Sequence, residues 1–192
     1  KDSAQVHEQW STVKELSDTA YGAVQGKEKV TLETYVQMTY FDRIIARANT
    51  RFMRMTFGQF ELCRREQPRD RQSKSGLELD VKDHYNGTVR PAASLSGGES
   101  FVASLALALG LSDEIRATAG GIELDALFVD EGFGTLSEEI LNHAVQTLQQ
   151  LAEGDRIVGI ISHVAELKER IEKQIVVTKS KTGKSTVEIR VG

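Results

Sequence analysis

Two adjacent carboxylates, Asp130 and Glu131, follow the apolar run Ala126-Leu127-Phe128-Val129 and precede Gly132. A short continuous apolar run reads as a strand buried on both faces of a parallel sheet. In open α/β sheets, ligand chemistry gathers just past the carboxyl ends of such strands. One carboxylate placed there can bind Mg²⁺, directly or through water, and the other can orient and deprotonate an attacking water. Nucleotide hydrolysis needs both functions. Two solvated strand-end acids would leave the same trace, so the pair gains meaning only from its neighbours.

Ser94-Leu95-Ser96-Gly97-Gly98-Glu99 stands before a segment that is apolar nearly all round, with Phe101, Val102, Leu105, Leu107, Leu109 and Leu111. Such a segment reads as a buried helix. Two glycines at its start let an anion approach the backbone, and the first-turn N–H groups and helix dipole point at it. Ser96 can add a hydroxyl donor. A plain N-cap with a glycine turn accounts for the same residues. His163 follows a second buried run, residues 157–161, and can hydrogen-bond a phosphate or the attacking water from the neighbouring strand end. A lone His at a strand end is otherwise structural.

The elements that must position these groups are legible in outline. Val6, Trp10, Val13, Ser17, Ala20 and Val24 step by alternating fours and threes, so residues 1–24 read as one strand of a coiled coil. An amphipathic helix packed on the domain fits the same short seam. Gly22 and Gly26 punctuate its end. Residues 32–55 form a helix with Phe41, Ile44, Ile45, Ala48, Phe52 and Met55 on its apolar face. Strands are expected over 57–64, 77–81 and 88–89, with 65–75 as a loop and Asn86-Gly87 as a turn. After the Asp-Glu strand come a helix over 138–151, a strand over 157–161, a short helix, and a hairpin over 174–178 and 186–191. Strand–helix–strand alternation through residues 126–161 signals parallel α/β packing.

The bulk numbers are those of a globular domain: 192 residues, 40% hydrophobic and 27% charged. A net charge of -4 argues against a uniformly basic nucleic-acid coat and leaves room for a local patch. The single cysteine, Cys63, excludes an intrachain disulfide and fits a reducing, cytoplasmic compartment. The longest apolar stretch, residues 101–111, is interrupted by Ser104 and is too short to cross a bilayer, so no membrane association is expected. The chain opens on Lys1 and enters a helical pattern at once, which predicts a cut from a longer protein. Three heptads without a partner would be marginal, which points the same way.

Taken in order, the segments resemble the C-terminal lobe of an ABC-type ATPase, specifically the SbcC family of DNA double-strand-break repair ATPases related to SMC proteins. Residues 95–99 match the ABC signature motif and 127–131 match Walker B. Residues 132–136 match the stretch leading into the D-loop, and Ser162-His163 matches the switch histidine. The resemblance covers nearly the whole chain. It implies an α/β fold, mostly parallel sheet with flanking helices, with a coiled-coil stub over residues 1–25 and the ATPase lobe over 26–192.

The same resemblance implies ATP and Mg²⁺ as cofactors, with Asp130 at the metal and Glu131 and His163 as catalytic residues. These would act on ATP held by the phosphate loop of the same protein's N-terminal lobe. Ser96, Gly97, Gly98 and Glu99 would clamp the γ-phosphate of ATP held by a second head, with Gly134, Thr135 and Ser137 at the nucleotide from the D-loop side. Implied partners are that N-terminal lobe, the second head, the nuclease partner SbcD and DNA. One departure is Ser137, which stands where the D-loop usually ends in Asp. An SMC-type ATPase that tethers DNA without a nuclease, a transporter nucleotide-binding domain and a non-catalytic interaction domain that kept the fold are the rivals, and the presence of Glu131 counts against the last. The stretch Gly132-Phe133-Gly134-Thr135-Leu136 favours SbcC, and the seam from Val6 to Val24 counts against a transporter.

The phosphate loop, GxxxxGK followed by Ser or Thr, is missing. Gly183-Lys184-Ser185 mimics its tail, but Thr178 stands where its first glycine belongs, and the segment lies between two strands rather than before a helix. It reads as a hairpin turn. The chain alone is therefore predicted not to hydrolyse ATP. Arg43, Arg47, Arg51 and Arg54 share one face of the second helix. Between residues 41 and 74, nine Lys/Arg meet four Asp/Glu, a local +5. That stripe reads as a DNA-backbone contact, a docking face for the missing lobe, or a solvated helix face.

Overall fold

The computed structural model describes residues 2–23, 30–65, 76–118, 126–152, 156–180 and 183–191. Helix α1 spans Asp2–Ala20 and closes on Gly22, whose φ of 66° suits glycine. Val6, Trp10, Val13 and Leu16 lie exposed along it. Val24 and Gly26 fall outside the described residues.

Helix α2 covers Leu32–Met55, the extent its 3.6-residue period predicts. Thr31 caps it, its hydroxyl accepting the Thr34 N–H at 3.1 Å, and Glu33 and Arg54 complement the dipole at the two ends. Ile45, Ala48, Phe52 and Met55 are buried, with Phe41 packed at the margin. Thr56 and Phe57 then turn the chain, Phe57 at a φ of 54°, so strand β1 begins only at Phe60 and runs Phe60–Arg64. Asn49 ties the helix to that strand: its amide donates to the Leu62 carbonyl and its oxygen accepts the Leu62 N–H, both at 2.8 Å.

Strands β2 (Leu79–Asp83) and β3 (Thr88–Pro91) complete an antiparallel sheet in the order β1-β2-β3, with Leu62 opposite Val81. The turn at 84–87 carries Gly87 at a φ of 71°, and Asn86 stands before it as the sequence predicts. β2 starts two residues later than expected. The predicted loop over 65–75 lies, from residue 66 onward, outside the described residues.

Helix α3 (Gly97–Thr118) crosses α2 closely. A Cβ at Gly110 would lie 2.6 Å from the Ile44 carbonyl oxygen and 2.8 Å from the Ala48 nitrogen, so only glycine permits the approach. Val102, Ala103, Leu105, Ala106 and Leu109 are buried, but Leu111 is exposed, so α3 is less enclosed than its composition predicts. A polar clamp sits beside the crossing. Glu114, only 5% exposed, accepts from Arg47 Nε at 2.7 Å and lies 3.5 Å from Arg43, while Arg51 pairs with Asp113 at 2.7 Å.

The Arg47 hydrogen bond is the main reason the Glu114 carboxyl sits below its ordinary value of 4.5; Thr118 and the charges of Arg47 and Arg43 add to it. A lowered folded value means the stabilisation is present above the unfolded pKa and is lost as pH falls through the folded one. Arg47→Met should therefore lower the melting temperature at neutral pH. The gap from the unsubstituted chain should close on acidification below about 4.5. A gap independent of pH in melting curves would show that the pair contributes through packing alone.

Strand β4 (Ala126–Asp130) lies parallel to β5 (Ile157–Ile161), with helix α4 (Glu138–Ala152) as the crossover and Val129 opposite Ile160. Helix α5 (Ala165–Arg170) leads into the antiparallel hairpin β6 (Lys173–Lys179) and β7 (Ser185–Val191). The α/β class is as read. The parallel component among the described residues is the β4·β5 pair, and the other ladders are antiparallel. The β2–β3 and β6–β7 connections are too short for a crossover and force antiparallel pairing, whereas α4 gives β4 and β5 theirs.

Burial on both faces of β4 does not hold. Leu127 and Val129, with Val158 and Ile160, face the core, but Phe128 is 68% exposed and Ile157 and Ile161 lie open beside it. The Phe128 ring lies so close over Gly159 that a Cβ there would be 2.5 Å from Cδ1. An uninterrupted apolar strand whose outer face is bare has the composition of a covered sheet without the cover.

Candidate functional site

Asp130 ends β4 and is exposed. Glu131, one residue on, adopts a φ of 55°, in the left-handed region that a residue with a Cβ seldom enters. Its N–H donates to the Ile161 carbonyl at 2.8 Å, which extends the β4·β5 pairing by one step. The side chain stays 68% exposed, with Oε1 3.7 Å from Nδ1 of His163, itself 81% exposed. Ser162 secures the loop, its hydroxyl accepting the Val164 N–H at 3.1 Å. The two strand ends thus bring the predicted acids and histidine together.

Gly132 holds this turn in place. Its φ is 89°, and a Cβ there would lie 2.2 Å from the Phe101 ring. Phe101 in turn meets the buried Phe133 edge-on at 4.9 Å between ring centres. Phe101 read in the sequence only as core; its position against the turn after Glu131 had no signal there. The 3₁₀ turn Phe133–Thr135 follows, closed by the Thr135 hydroxyl donating to the Gly132 carbonyl at 3.0 Å.

This turn packs on the start of α3, so the two glycines there have different work. A Cβ at Gly98 would lie 2.8 Å from the Thr135 carbonyl oxygen, whereas one at Gly97 would meet nothing closer than 4.0 Å. Gly98 is required by the fold, and Gly97 leaves open space. Ser96 and Glu99 form a reciprocal capping box: the Ser96 hydroxyl accepts the Glu99 N–H at 3.3 Å, and the Glu99 carboxylate accepts the Ser96 N–H at 2.7 Å. Gly134 makes only ordinary contact with Val164. Ser137 caps α4, accepting the Ile140 N–H at 3.4 Å.

Among the described residues no three His, Cys, Asp or Glu side chains converge to cage a metal. One or two strand-end carboxylates suit Mg²⁺ all the same, since it keeps waters and substrate phosphates as its remaining ligands. Gly183-Lys184-Ser185 is a hairpin turn, with the Ser180 N–H donating to the Lys184 carbonyl and Gly183 at a φ of 82°.

The arginine stripe turns inward along much of its length. Arg43, Arg47 and Arg51 engage Asp113 and Glu114 of α3, and Arg54 donates to the Gln150 side-chain oxygen on α4 at 2.9 Å. Their acceptors lie dozens of residues away, so the spacing showed the stripe without its partners.

A family model for the SbcC/RAD50-like Walker B motif matches residues 66–150. The chain is 46% identical over 175 residues to the SbcC component of the SbcCD nuclease of Vibrio cholerae, covering 91% of this chain and 17% of that protein. The protein of the same name in Treponema pallidum is 42% identical over 183 residues, covering 95% and 17%. The chain belongs to the SbcC family. The lobe spans about one sixth of the length of these curated relatives, 17% in both. Its fold matches a solved SMC ATPase structure, from work on ATP-driven dimerization and DNA-stimulated activation, at a TM-score of 0.63 and 17% identity, covering 81% of the lobe and 88% of that chain. An Smc head bound to the C-winged helix domain of ScpA gives 0.61 at 19% identity, covering 83% and 45%. No helix among the described residues is long and apolar enough to cross a membrane.

Proposed function

We propose that this lobe supplies the water-activating half of one ATP site and the phosphate-clamping half of another, within an SbcCD-like complex that processes DNA ends. The observation that carries the reading is Glu131: a carboxylate on a left-handed backbone, exposed, beside His163, and fixed by Gly132 against Phe101. Strain of that kind costs stability and persists where the surrounding packing enforces it, often at sites of function.

Asp130 would hold Mg²⁺, which when bound supplies positive charge to the phosphates. Glu131 orients the attacking water and takes its proton. His163, from the neighbouring strand end, hydrogen-bonds the γ-phosphate or the water. The α3 N-terminus, with Ser96, Gly97 and Glu99 exposed or half-exposed around it, offers backbone N–H groups and dipole to the γ-phosphate of a second head's ATP. ATP binding closes two heads, and hydrolysis releases them.

An N-terminal lobe carrying the phosphate loop would cover the open face of Phe128, Ile157 and Ile161. Residues 1–25 would continue into a coiled coil, with residues 26–192 as the lobe proper and the nuclease SbcD near the coiled-coil base. The SMC-type tethering alternative is weakened by identities of 42–46% to SbcC proteins, against 17–19% to SMC heads.

The two glycines allow a clean test. Gly97→Val adds bulk where the fold leaves space, so the melting temperature of the lobe should hardly change. In a complete head the same change should abolish ATP-dependent dimerisation, read by light scattering. Dimerisation at the unsubstituted ATP concentration would rule out the clamp.

A further inference from the structure

The first turn of α3 carries the glycines and the capping box of the proposed clamp. One turn further on stands Phe101, four residues after Gly97 and three after Gly98, on the same side of the helix. It differs from its core-facing neighbours. Val102, Leu105, Ala106 and Leu109 are buried, whereas Phe101 is only half-buried, at the margin of the core. Its ring lies instead against the turn after β4. A Cβ on Gly132 would be 2.2 Å from both Cδ2 and Cε2 of Phe101, and the three nearest atoms to that point all belong to this ring.

The peptide between Glu131 and Gly132 is thereby held from two sides. On the sheet side, the Glu131 N–H donates to the Ile161 carbonyl at 2.8 Å. That bond fixes the amide and leaves rotation about the following N–Cα bond free. On the helix side, Phe101 blocks the space into which Gly132 would move if that rotation occurred. Between the two supports Glu131 keeps a φ of 55°, which a residue with a Cβ adopts only at a cost in stability. Such a conformation relaxes when the packing that enforces it is removed.

We propose that Phe101 is a positioning residue for the hydrolytic base. Its ring holds the turn at Gly132, the turn keeps Glu131 left-handed, and that backbone sets the carboxylate beside His163, with Oε1 3.7 Å from Nδ1. The inference rests on the reading of Glu131 as the base. One helix then serves two ATP molecules: the α3 N-terminus clamps the phosphate of a second head's ATP, and Phe101 sets the base for the ATP of its own head.

Phe101→Leu keeps apolar bulk without the flat ring and tests the proposal in two ways. In the 192-residue chain, Glu131→Gly and Glu131→Ala both remove the carboxylate, but only glycine removes the left-handed strain. Glu131→Gly should melt about 2–4 °C above Glu131→Ala. On a Phe101→Leu background that gap should vanish or reverse. Because it compares two variants on one background, it reads the strain whatever Phe101→Leu itself does to stability.

In complete heads, mixed dimers with one base silenced by Glu131→Gln separate the two sites. A Phe101→Leu head opposite a Glu131→Gln head should hydrolyse its own ATP at least about tenfold more slowly in a single turnover, with ATP-dependent dimerisation unchanged. With Phe101→Leu and Glu131→Gln together on one head, an unsubstituted head opposite should turn over as fast as it does opposite Glu131→Gln alone. A melting gap absent from the start or persisting with Phe101→Leu, or a loss that falls on the opposite head's ATP, would overturn the proposal. Turnover that survives Glu131→Gln in both heads would remove the base reading instead, and the melting gap would still decide whether Phe101 holds the turn.

Discussion

Replacing Glu131 with Gln in a complete head is expected to lower ATP turnover by about 10²–10⁴-fold, the range a positioned general base contributes. The amide keeps the size and one acceptor oxygen of the carboxylate, so nucleotide should still bind and the closed dimer should live longer. Glu131 touches its surroundings through its backbone N–H to Ile161 and its side-chain approach to His163. Neither the turn at Gly132 nor the Phe101–Phe133 contact needs the charge, so melting of the lobe should be little affected. Measuring single-turnover hydrolysis together with dimer lifetime separates the base from a merely structural acid. Loss of dimerisation in step with turnover would place Glu131 in binding instead.

The second large effect is on stability, and its sign is diagnostic. In an exposed helix interior, Gly→Ala stabilises by about 1 kcal/mol. At Gly110 the new Cβ would lie 2.6 Å from the Ile44 carbonyl oxygen and 2.8 Å from the Ala48 nitrogen. Backbone atoms cannot step aside as a side-chain end can. Gly110→Ala should therefore force α2 and α3 apart and destabilise by about 3 kcal/mol, roughly 10 °C in melting temperature for a domain of this size. Urea unfolding at neutral pH reads it directly. A stabilised variant would mean that the helices do not approach so closely.

Both expectations draw on features with unequal traces in the sequence. The long apolar period of residues 32–55 predicted α2, and the Thr31 cap that the structure shows fixes its start where that period begins. Strand ends moved by two or three residues at β1 and β2, where turn geometry at Phe57 and pairing with a neighbour decide the boundary. The acids after β4 and His163 after β5 were legible as strand-end groups, and parallel pairing of the strands explains their meeting. That Phe128 would stand open was not, since a covered face and a bare one have the same composition.

At the start of α3, two adjacent glycines look alike in sequence. Only the Thr135 carbonyl against Gly98 tells which is needed by the fold. The arginine stripe was visible by its spacing, but Asp113 and Glu114, which take up three of its members, lie more than sixty residues on. A non-glycine residue at a φ of 55° leaves no trace in sequence at all, and Glu131 is such a residue.

The central claim is that the lobe carries the acids and histidine of an ATP site whose phosphate loop lies elsewhere. Steady-state phosphate release from Mg-ATP, measured for this chain alone and then with an N-terminal lobe bearing the phosphate loop, tests it most directly. Negligible turnover alone, restored on mixing and lost again with Glu131→Gln in the mixture, is the predicted result. Hydrolysis by the chain alone, or restored hydrolysis that survives Glu131→Gln, would contradict it.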